Sequence, residues 1–209
     1  MIKYLLEHWW DVPQAIAVIL ASIVAIYGVN NWRREARGKR KLDLAEETLS
    51  LFYEVKDVIS DIRSPYGYQH EGESRQKDER EPPEKTAALN RAYALRERYM
   101  KHVETFGKLR ALRYRFMAVF GKETAQPFDK LGEILGELNM AMIMLGDLWY
   151  QRDIDYRVRT KDEAQRLQDD IRKYEAIFWE GPPPNLISKK VDEMISEIEK
   201  VCAPILSKA

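Results

Sequence analysis

The sequence predicts an all-α protein, with one N-terminal transmembrane helix followed by a cytoplasmic antiparallel bundle of four to five long helices. An uncharged run covers residues 12–29, about 18 residues and enough to cross most of a bilayer's hydrocarbon layer. Beyond it, apolar residues recur at intervals of three and four, the period of an amphipathic helix. Charged residues make up 33% of the chain, as in long solvent-exposed helices.

The transmembrane helix is predicted over residues 12–32, after a short extracytoplasmic tail at 1–11. Aromatic side chains lie at both ends of the uncharged run, where amphipathic rings meet lipid headgroups. These interfacial aromatics are Trp9, Trp10, Tyr27 and Trp32. A secretory signal peptide would carry its cations before a shorter apolar core, whereas here they follow it. The remaining alternative is a buried helix of a soluble protein.

Six cations follow the membrane helix and predict its orientation. They are Arg33, Arg34, Arg37, Lys39, Arg40 and Lys41, and Glu35 is the single acid among them. Cationic flanks are retained on the cytoplasmic side. We therefore expect a bacterial inner-membrane protein with its N-terminus outside and its C-terminal domain in the cytoplasm. The same cations are also placed to contact anionic lipid headgroups.

Small residues recur along one side of the membrane helix and predict a packing surface. They are Ala17, Ala21, Ala25 and Gly28. Small side chains let two membrane helices approach closely. The stripe indicates either a homo-oligomer or a helix of a membrane protein partner, and the alternative is that alanine is simply common in such segments.

A basic juxtamembrane segment and the first bundle helix are predicted over 33–64. Gly38 is the weakest point of a helix that continues from the membrane, and Pro65 ends it. Residues 65–84 contain prolines, glycines and charges but no aliphatic side chain, so we expect a disordered loop. The remainder of the bundle occupies 85–209.

The later helices are predicted from their apolar periodicity and their end signals. The second runs over 86–120 and stops at Gly121. The third opens near Gln126, has apolar residues in heptad spacing as in a coiled coil, and forms the centre of the bundle. The fourth begins at a capping box, Thr160 with Glu163. Pro204 disrupts the last turn of the fifth.

The third helix has two further features. Gly132 and Gly136 allow close approach of a neighbouring helix, at a cost in helix propensity. The methionines Met140, Met142 and Met144 suit either an adaptable binding groove or the centre of the bundle, and the apolar surroundings favour burial.

Chemical motifs are missing from the sequence, which predicts no catalysis, cofactor or small-molecule substrate. The histidines are far apart, and the single cysteine, Cys202, lies at a core position of its helix. Glycine-rich phosphate loops and nucleophile elbows do not occur. Lys and Arg equal Asp and Glu at 34 each, so no excess positive charge favours nucleic acid.

The run GKRKLDLAEETLSLFYEVKDVISDIRSP, with LRYRFMAVFGK and YEAIFWE further on, resembles a widespread set of bacterial proteins with one N-terminal membrane helix and a helical cytoplasmic region. That set has no established activity. The resemblance covers most of the chain after the membrane helix. It implies an inner-membrane setting, and it implies no site or substrate.

The leading hypothesis for function is a membrane-anchored interaction or scaffold module without catalysis of its own. It associates with itself or serves as an accessory subunit of a larger inner-membrane complex. One alternative is an element that transmits a signal from the membrane helix to the bundle. Another is an enzyme with an unrecognised site, which a deep polar pocket lined by Glu, Arg and Tyr would favour.

Overall fold

The computed structural model describes residues 11–67, 70–154, 160–182 and 185–207, and within these ranges the chain is helical, without strands. Six α-helices follow in order, with one 3-10 turn at Lys122–Ala125 between the third and fourth. Their bounds are α1 Asp11–Ile62, α2 Pro83–Lys101, α3 Val103–Phe120, α4 Gln126–Ile154, α5 Lys161–Phe178 and α6 Leu186–Leu206. The fold class predicted from the sequence is therefore confirmed as all-α.

The chain divides into two compact units, Met1–Leu44 and Ala45–Ala209. The first contains the whole apolar run of α1, and the helix passes Gly38 without a break. The second contains the end of α1 and the five later helices. The interaction surfaces described below lie within one unit or the other.

The core of the second unit is built on the predicted apolar stripes. On α1, five residues of the predicted stripe are almost fully buried: Ala45, Phe52, Val55, Ile59 and Ile62. Helix α4 packs against α2, α5 and α6, which agrees with its predicted central position. Its heptad residues Leu131, Leu138 and Leu145 are buried. Burial of apolar area along these stripes is the main term that stabilises such a fold.

The ends of the helices follow local chemistry. The Thr160 hydroxyl accepts from the Glu163 amide, and the Glu163 carboxylate accepts from the Thr160 amide, so the predicted capping box is confirmed. Helix α3 ends at Gly121, whose φ of 108° is open to glycine and rarely to other residues. Pro204 differs from its prediction, because α6 continues past it to Leu206.

The single helix predicted over 86–120 is wrong, because the structure divides it into α2 and α3 at His102. This residue has φ −110° and ψ 13°, outside the helical region. Its ring lies 3.0 Å from the Asp61 carboxylate of α1. Asp61 is distant in the sequence, so the contact leaves no local signal. The apolar periodicity continues across residue 102 and does not indicate the break.

The loop after α1 differs from the disordered segment that its composition predicts. In the described parts, 65–67 and 70–82, it forms turns that are bonded to α2. The Glu97 carboxylate accepts from the amides of Gly72 (2.7 Å) and Ser74 (3.0 Å). Arg75 pairs with Glu81 within the loop. Charged hydrogen bonds rather than apolar burial hold these turns, which a hydrophobicity argument does not consider.

Candidate functional site

The apolar part of α1 is exposed along its whole circumference. From residue 16 to residue 35 every side chain is exposed, and Val24 reaches 70%. The Ser22 hydroxyl donates to the Val18 carbonyl at 2.7 Å, so this polar group is satisfied within the helix. In the described part of the chain, one helix is long and apolar enough to cross a membrane.

The six cations after this segment are all exposed. In the described residues, none of them forms a salt bridge with an acid. They are Arg33, Arg34, Arg37, Lys39, Arg40 and Lys41. Their charges are therefore available to a ligand outside the chain, such as a lipid phosphate.

The other predicted membrane residues are exposed wherever they are described. Tyr27 and Trp32 are 77% and 68% exposed, and Trp9 and Trp10 lie outside the described residues. The small residues Ala17, Ala21, Ala25 and Gly28 are exposed as well, and a Cβ added at Gly28 would meet no atom within 4 Å. The packing surface predicted for these four residues stays a prediction.

An open groove lies between α2, α3 and α4 in the second unit. It consists of two adjoining cavities of about 310 and 180 Å³, which share Tyr99, Arg110, Gly132 and Leu135 in their walls. Gly107 and Gly136 line one cavity each. A Cβ added at Gly107, Gly132 or Gly136 would meet nothing within 4 Å. We call this feature the glycine groove.

The glycine groove corrects two expectations for α4. Gly132 and Gly136 were expected to admit a neighbouring helix, but no residue of another helix in the described part of the chain lies within 4 Å of a Cβ added at either. The three methionines were expected to be buried, which is wrong for Met140 because it is 53% exposed, and Met142 and Met144 are only half-buried. Met142 lines the groove. With Ile143, 51% exposed, Met140 extends an apolar surface along α4. The period of the sequence does not show that this side of α4 is uncovered.

The described residues that line the glycine groove include three arginines and no acid. Arg113 pairs with Asp129 at 2.7 Å. Arg96 and Arg110 are exposed, and neither forms an ion pair with an acid among the described residues. The groove therefore combines an apolar floor with a positively charged edge.

Filling the groove should be tolerated by the fold. We expect Gly136→Leu to leave the thermal unfolding midpoint unchanged or raised, because its side chain enters open space and leucine favours a helix by about 1 kcal/mol over glycine. Gly146 provides the matched control on the same helix. A Cβ there would lie 2.7 Å from Leu89 Cδ2 and 3.5 Å from Ala92 Cβ.

We therefore expect Gly146→Leu to destabilise the fold by about 1–3 kcal/mol, because it forces α2 away from α4. Thermal unfolding of the two variants, followed by circular dichroism, measures the difference. Equal losses of stability in both would mean that the groove is closed in solution.

A second cavity, of about 670 Å³, lies between the loop, α2, α4 and α5. We call it the polar cleft, and its ionisable lining residues are His70, Glu71, Glu73, Arg91, Arg98, Arg152 and Glu175. Each acid already has a polar partner: Arg98 binds Glu71, His70 lies 3.0 Å from Glu73, and the Trp149 indole donates to Glu175 at 2.8 Å. Arg91 covers the Trp149 ring at 5.1 Å. These contacts connect the walls of the cleft to one another.

Two buried arginines hold the ends of helices, and the sequence did not indicate either. Arg63 is 1% exposed and donates to carbonyls at the end of α5. Arg98 is 4% exposed and donates to the carbonyls of Ile62 and Ser64 at the end of α1. Cations suit the C-terminal end of a helix, where carbonyls lack partners. The one available signal is the position of Arg63 directly before Ser64-Pro65.

The surroundings of Cys202 and of two histidines favour a structural role for these side chains. Cys202 is fully buried, as predicted, and burial raises the pKa of its thiol to about 11. The thiolate, which is the reactive form, is therefore scarce at neutral pH. His70 and His102 lie in different parts of the unit, each beside one carboxylate.

Comparisons with models of protein families, with curated proteins and with solved structures find no match. The fold and the exposed apolar helix define a class instead, namely all-helical proteins with one candidate membrane helix near the N-terminus. The resemblance to bacterial single-pass proteins stays a prediction.

Proposed function

We propose that this protein is a membrane-anchored helical interaction module. The observation that carries the proposal is the exposure of the apolar part of α1 on every side. Apolar residues exposed around a whole helix are unfavourable in water, and lipid removes that penalty. The satisfied Ser22 hydroxyl supports the same environment, since a free hydroxyl is costly in hydrocarbon.

The proposed orientation has the N-terminus outside and the second unit in the cytoplasm of a bacterium. This orientation is supported by six exposed cations on the C-terminal side of the apolar run. They have no acidic partners among the described residues. Their contact with anionic headgroups of the inner leaflet adds about 1 kcal/mol for each cation close to the surface.

The second unit is proposed to be an antiparallel bundle. Pairs along α4 and α6 support this arrangement: Lys130 binds Glu197 at 2.6 Å, whereas Glu137, further along α4, binds Lys190, which is earlier on α6. Helices α1 and α3 are antiparallel by the same criterion. Glu47 lies 3.6 Å from Arg115, whereas Glu54, further along α1, accepts a hydrogen bond at 2.8 Å from Thr105, which is earlier on α3. Such a bundle presents a fixed surface to a partner.

The proposal assigns no catalysis to the chain. A polar pocket was the feature that would favour an enzyme, and the polar cleft has the size of a ligand site. However, its acids are bonded to neighbouring side chains, so these groups are suited to holding the walls of the cleft together. The glycine groove, with its apolar floor, is the better candidate for contact with another molecule.

Charges in the apolar run test the membrane assignment. We expect the double variant Ile19→Asp/Val24→Asp to leave the membrane fraction after an alkaline carbonate wash, because each acid at the helix centre costs about 2.5–3.5 kcal/mol on insertion. Leu186→Asp is the matched control, since Leu186 is 58% exposed on the second unit. Retention of the double variant, or release of the control, would contradict the proposal.

Cysteine labelling tests the orientation. The chain's own Cys202 is buried and should stay unlabelled by a membrane-impermeant maleimide. We expect Lys3→Cys to react on intact spheroplasts and Asp43→Cys to react only after lysis. The reverse pattern would place the second unit outside.

A further inference from the structure

We propose that the glycine groove binds an amphipathic helix of a partner protein, with small or apolar residues on the buried face and acids along its edges. This inference rests on the proposed function, because it gives the interaction module a defined surface and a partner of stated chemistry.

The shape of the groove suits a helix. Gly107, Gly132 and Gly136 lie on helices, where glycine is less favourable than alanine. None of the described residues occupies the space beside these glycines. A close-packed partner helix uses such space, because small residues let two helical backbones approach.

The walls of the groove supply the apolar contacts. The aromatic ring of Tyr99 and the side chain of Leu135 are shared by both cavities, and Met142 lines the larger one. Methionine adapts its shape to different apolar partners. The exposed Met140 and Ile143 extend this surface along α4. An amphipathic helix in an apolar groove is a recurrent form of recognition, with contacts at i, i+3, i+4 and i+7.

The charges select the partner. Arg96 and Arg110 at the groove are exposed, have no acidic partner among the described residues, and have no acid beside them in the groove lining. Acids on the edges of the bound helix would pair with both guanidinium groups. Lysines in the same places would meet like charges, which costs binding energy and excludes such partners.

A second copy of the chain is the less favourable occupant. In a symmetric dimer formed through this groove, each groove faces the same groove of the other copy. Arg96 and Arg110 would then approach their own counterparts, with no acid in either lining to compensate. The charges therefore point to a different protein.

Two synthetic peptides test the proposal against the full chain in nanodiscs of zwitterionic lipid. Each has about 18 residues, close to five helical turns, with leucine and alanine on one face. One carries glutamates along the edges of that face and the other lysines. Binding is measured by fluorescence anisotropy, with empty nanodiscs as the control for lipid binding. We expect the glutamate peptide to bind about tenfold more tightly or better.

Two variants connect that preference to the groove. Arg96→Glu/Arg110→Glu should reverse the preference, so that the lysine peptide binds more tightly. Gly132→Leu/Gly136→Leu should abolish binding of both peptides, because leucines occupy the open space. Its circular dichroism spectrum and thermal midpoint show whether it remains folded. Should it prove unfolded, the charge-reversal variant decides the question alone.

Several outcomes would overturn the inference. These are failure of both peptides to bind, equal binding of the two, or a preference that the charge reversal leaves unchanged. Self-association that the paired leucines abolish would identify a second copy as the occupant and overturn it too. None of these results affects the membrane assignment, which the carbonate wash tests separately. Loss of membrane association, in turn, would overturn the proposed function and leave the measured peptide preference standing.

Discussion

Replacement of Arg63 by methionine is expected to lower the free energy of unfolding by about 3–5 kcal/mol, a large part of the 5–15 kcal/mol typical of a folded domain. The guanidinium donates to the carbonyls of Ile177 (2.9 Å) and Trp179 (2.9 Å) and to Asn185 Oδ1 (3.0 Å). Each buried carbonyl left without a donor costs about 1–3 kcal/mol. Thermal and denaturant unfolding, followed by circular dichroism, measures the loss.

The expected loss of stability depends on the groups that bind the buried Arg63 guanidinium. Burial lowers the pKa of Arg63, and the carboxylate of Glu180 acts in the opposite direction. Three carbonyls at the C-terminal end of α5 accept hydrogen bonds from the guanidinium, and the Asn185 amide oxygen accepts another. Lysine has one ammonium in place of the planar fork, so Arg63→Lys should recover only part of the stability.

Arg172 provides the control for this experiment. It lies on α5, the helix whose end Arg63 binds, and its side chain is 67% exposed, so Arg172→Met should change stability by less than about 1 kcal/mol. Similar losses from Arg63→Met and Arg172→Met would mean that the helix end does not depend on the buried guanidinium.

The apolar periodicity predicted most of the fold because it reports burial directly. Ala45, Phe52 and Ile59 on α1 are buried as their spacing requires. The capping box at Thr160 is equally local, since both of its hydrogen bonds lie within four residues. Features that depend on one stretch of chain are therefore readable from the sequence.

Features that depend on distant partners were not readable. The residues bonded to the Arg63 side chain lie 113 to 125 positions away, and arginine is usually exposed, so composition places it at the surface. The break at His102 pairs with Asp61, 41 positions away. The open side of α4 follows from the arrangement of α2 and α3, so the apolar surroundings of Met140 in the sequence predicted burial instead of exposure.

The order of the loop between α1 and α2 also depends on a distant charged group, the Glu97 carboxylate. Burial raises the pKa of the Glu97 carboxyl, but hydrogen bonds from Gly72 and Ser74 outweigh it, and the net pKa lies below the ordinary 4.5. A lowered pKa in the folded state means that the contribution to stability is complete above pH 4.5. It is lost as the pH falls through the lowered value. The order of this loop should therefore weaken in acid.

Arg98→Met is expected to destabilise the fold by about 3–5 kcal/mol and to release this loop. The guanidinium donates to the carbonyls of Ser64 (2.6 Å) and Tyr66 (3.0 Å), and it binds the Glu71 carboxylate at 2.6 Å. The Glu71 side chain is only 10% exposed, so removal of Arg98 leaves a buried negative charge without its guanidinium. Thermal unfolding measures the stability, and limited trypsin digestion measures the release of the loop.

The digestion distinguishes an ordered loop from a disordered one, because trypsin cleaves after Arg75, Lys77 and Arg80 when the backbone is free to unfold locally. The unmodified chain should resist at these sites, and Arg98→Met should be cut at them. Adding Glu71→Gln to Arg98→Met should restore part of the lost stability, since it removes the buried charge but leaves the helix-end carbonyls without donors. Rapid cleavage of the unmodified chain at these three sites would support the disorder that the composition predicts, and with it a weaker role for Arg98.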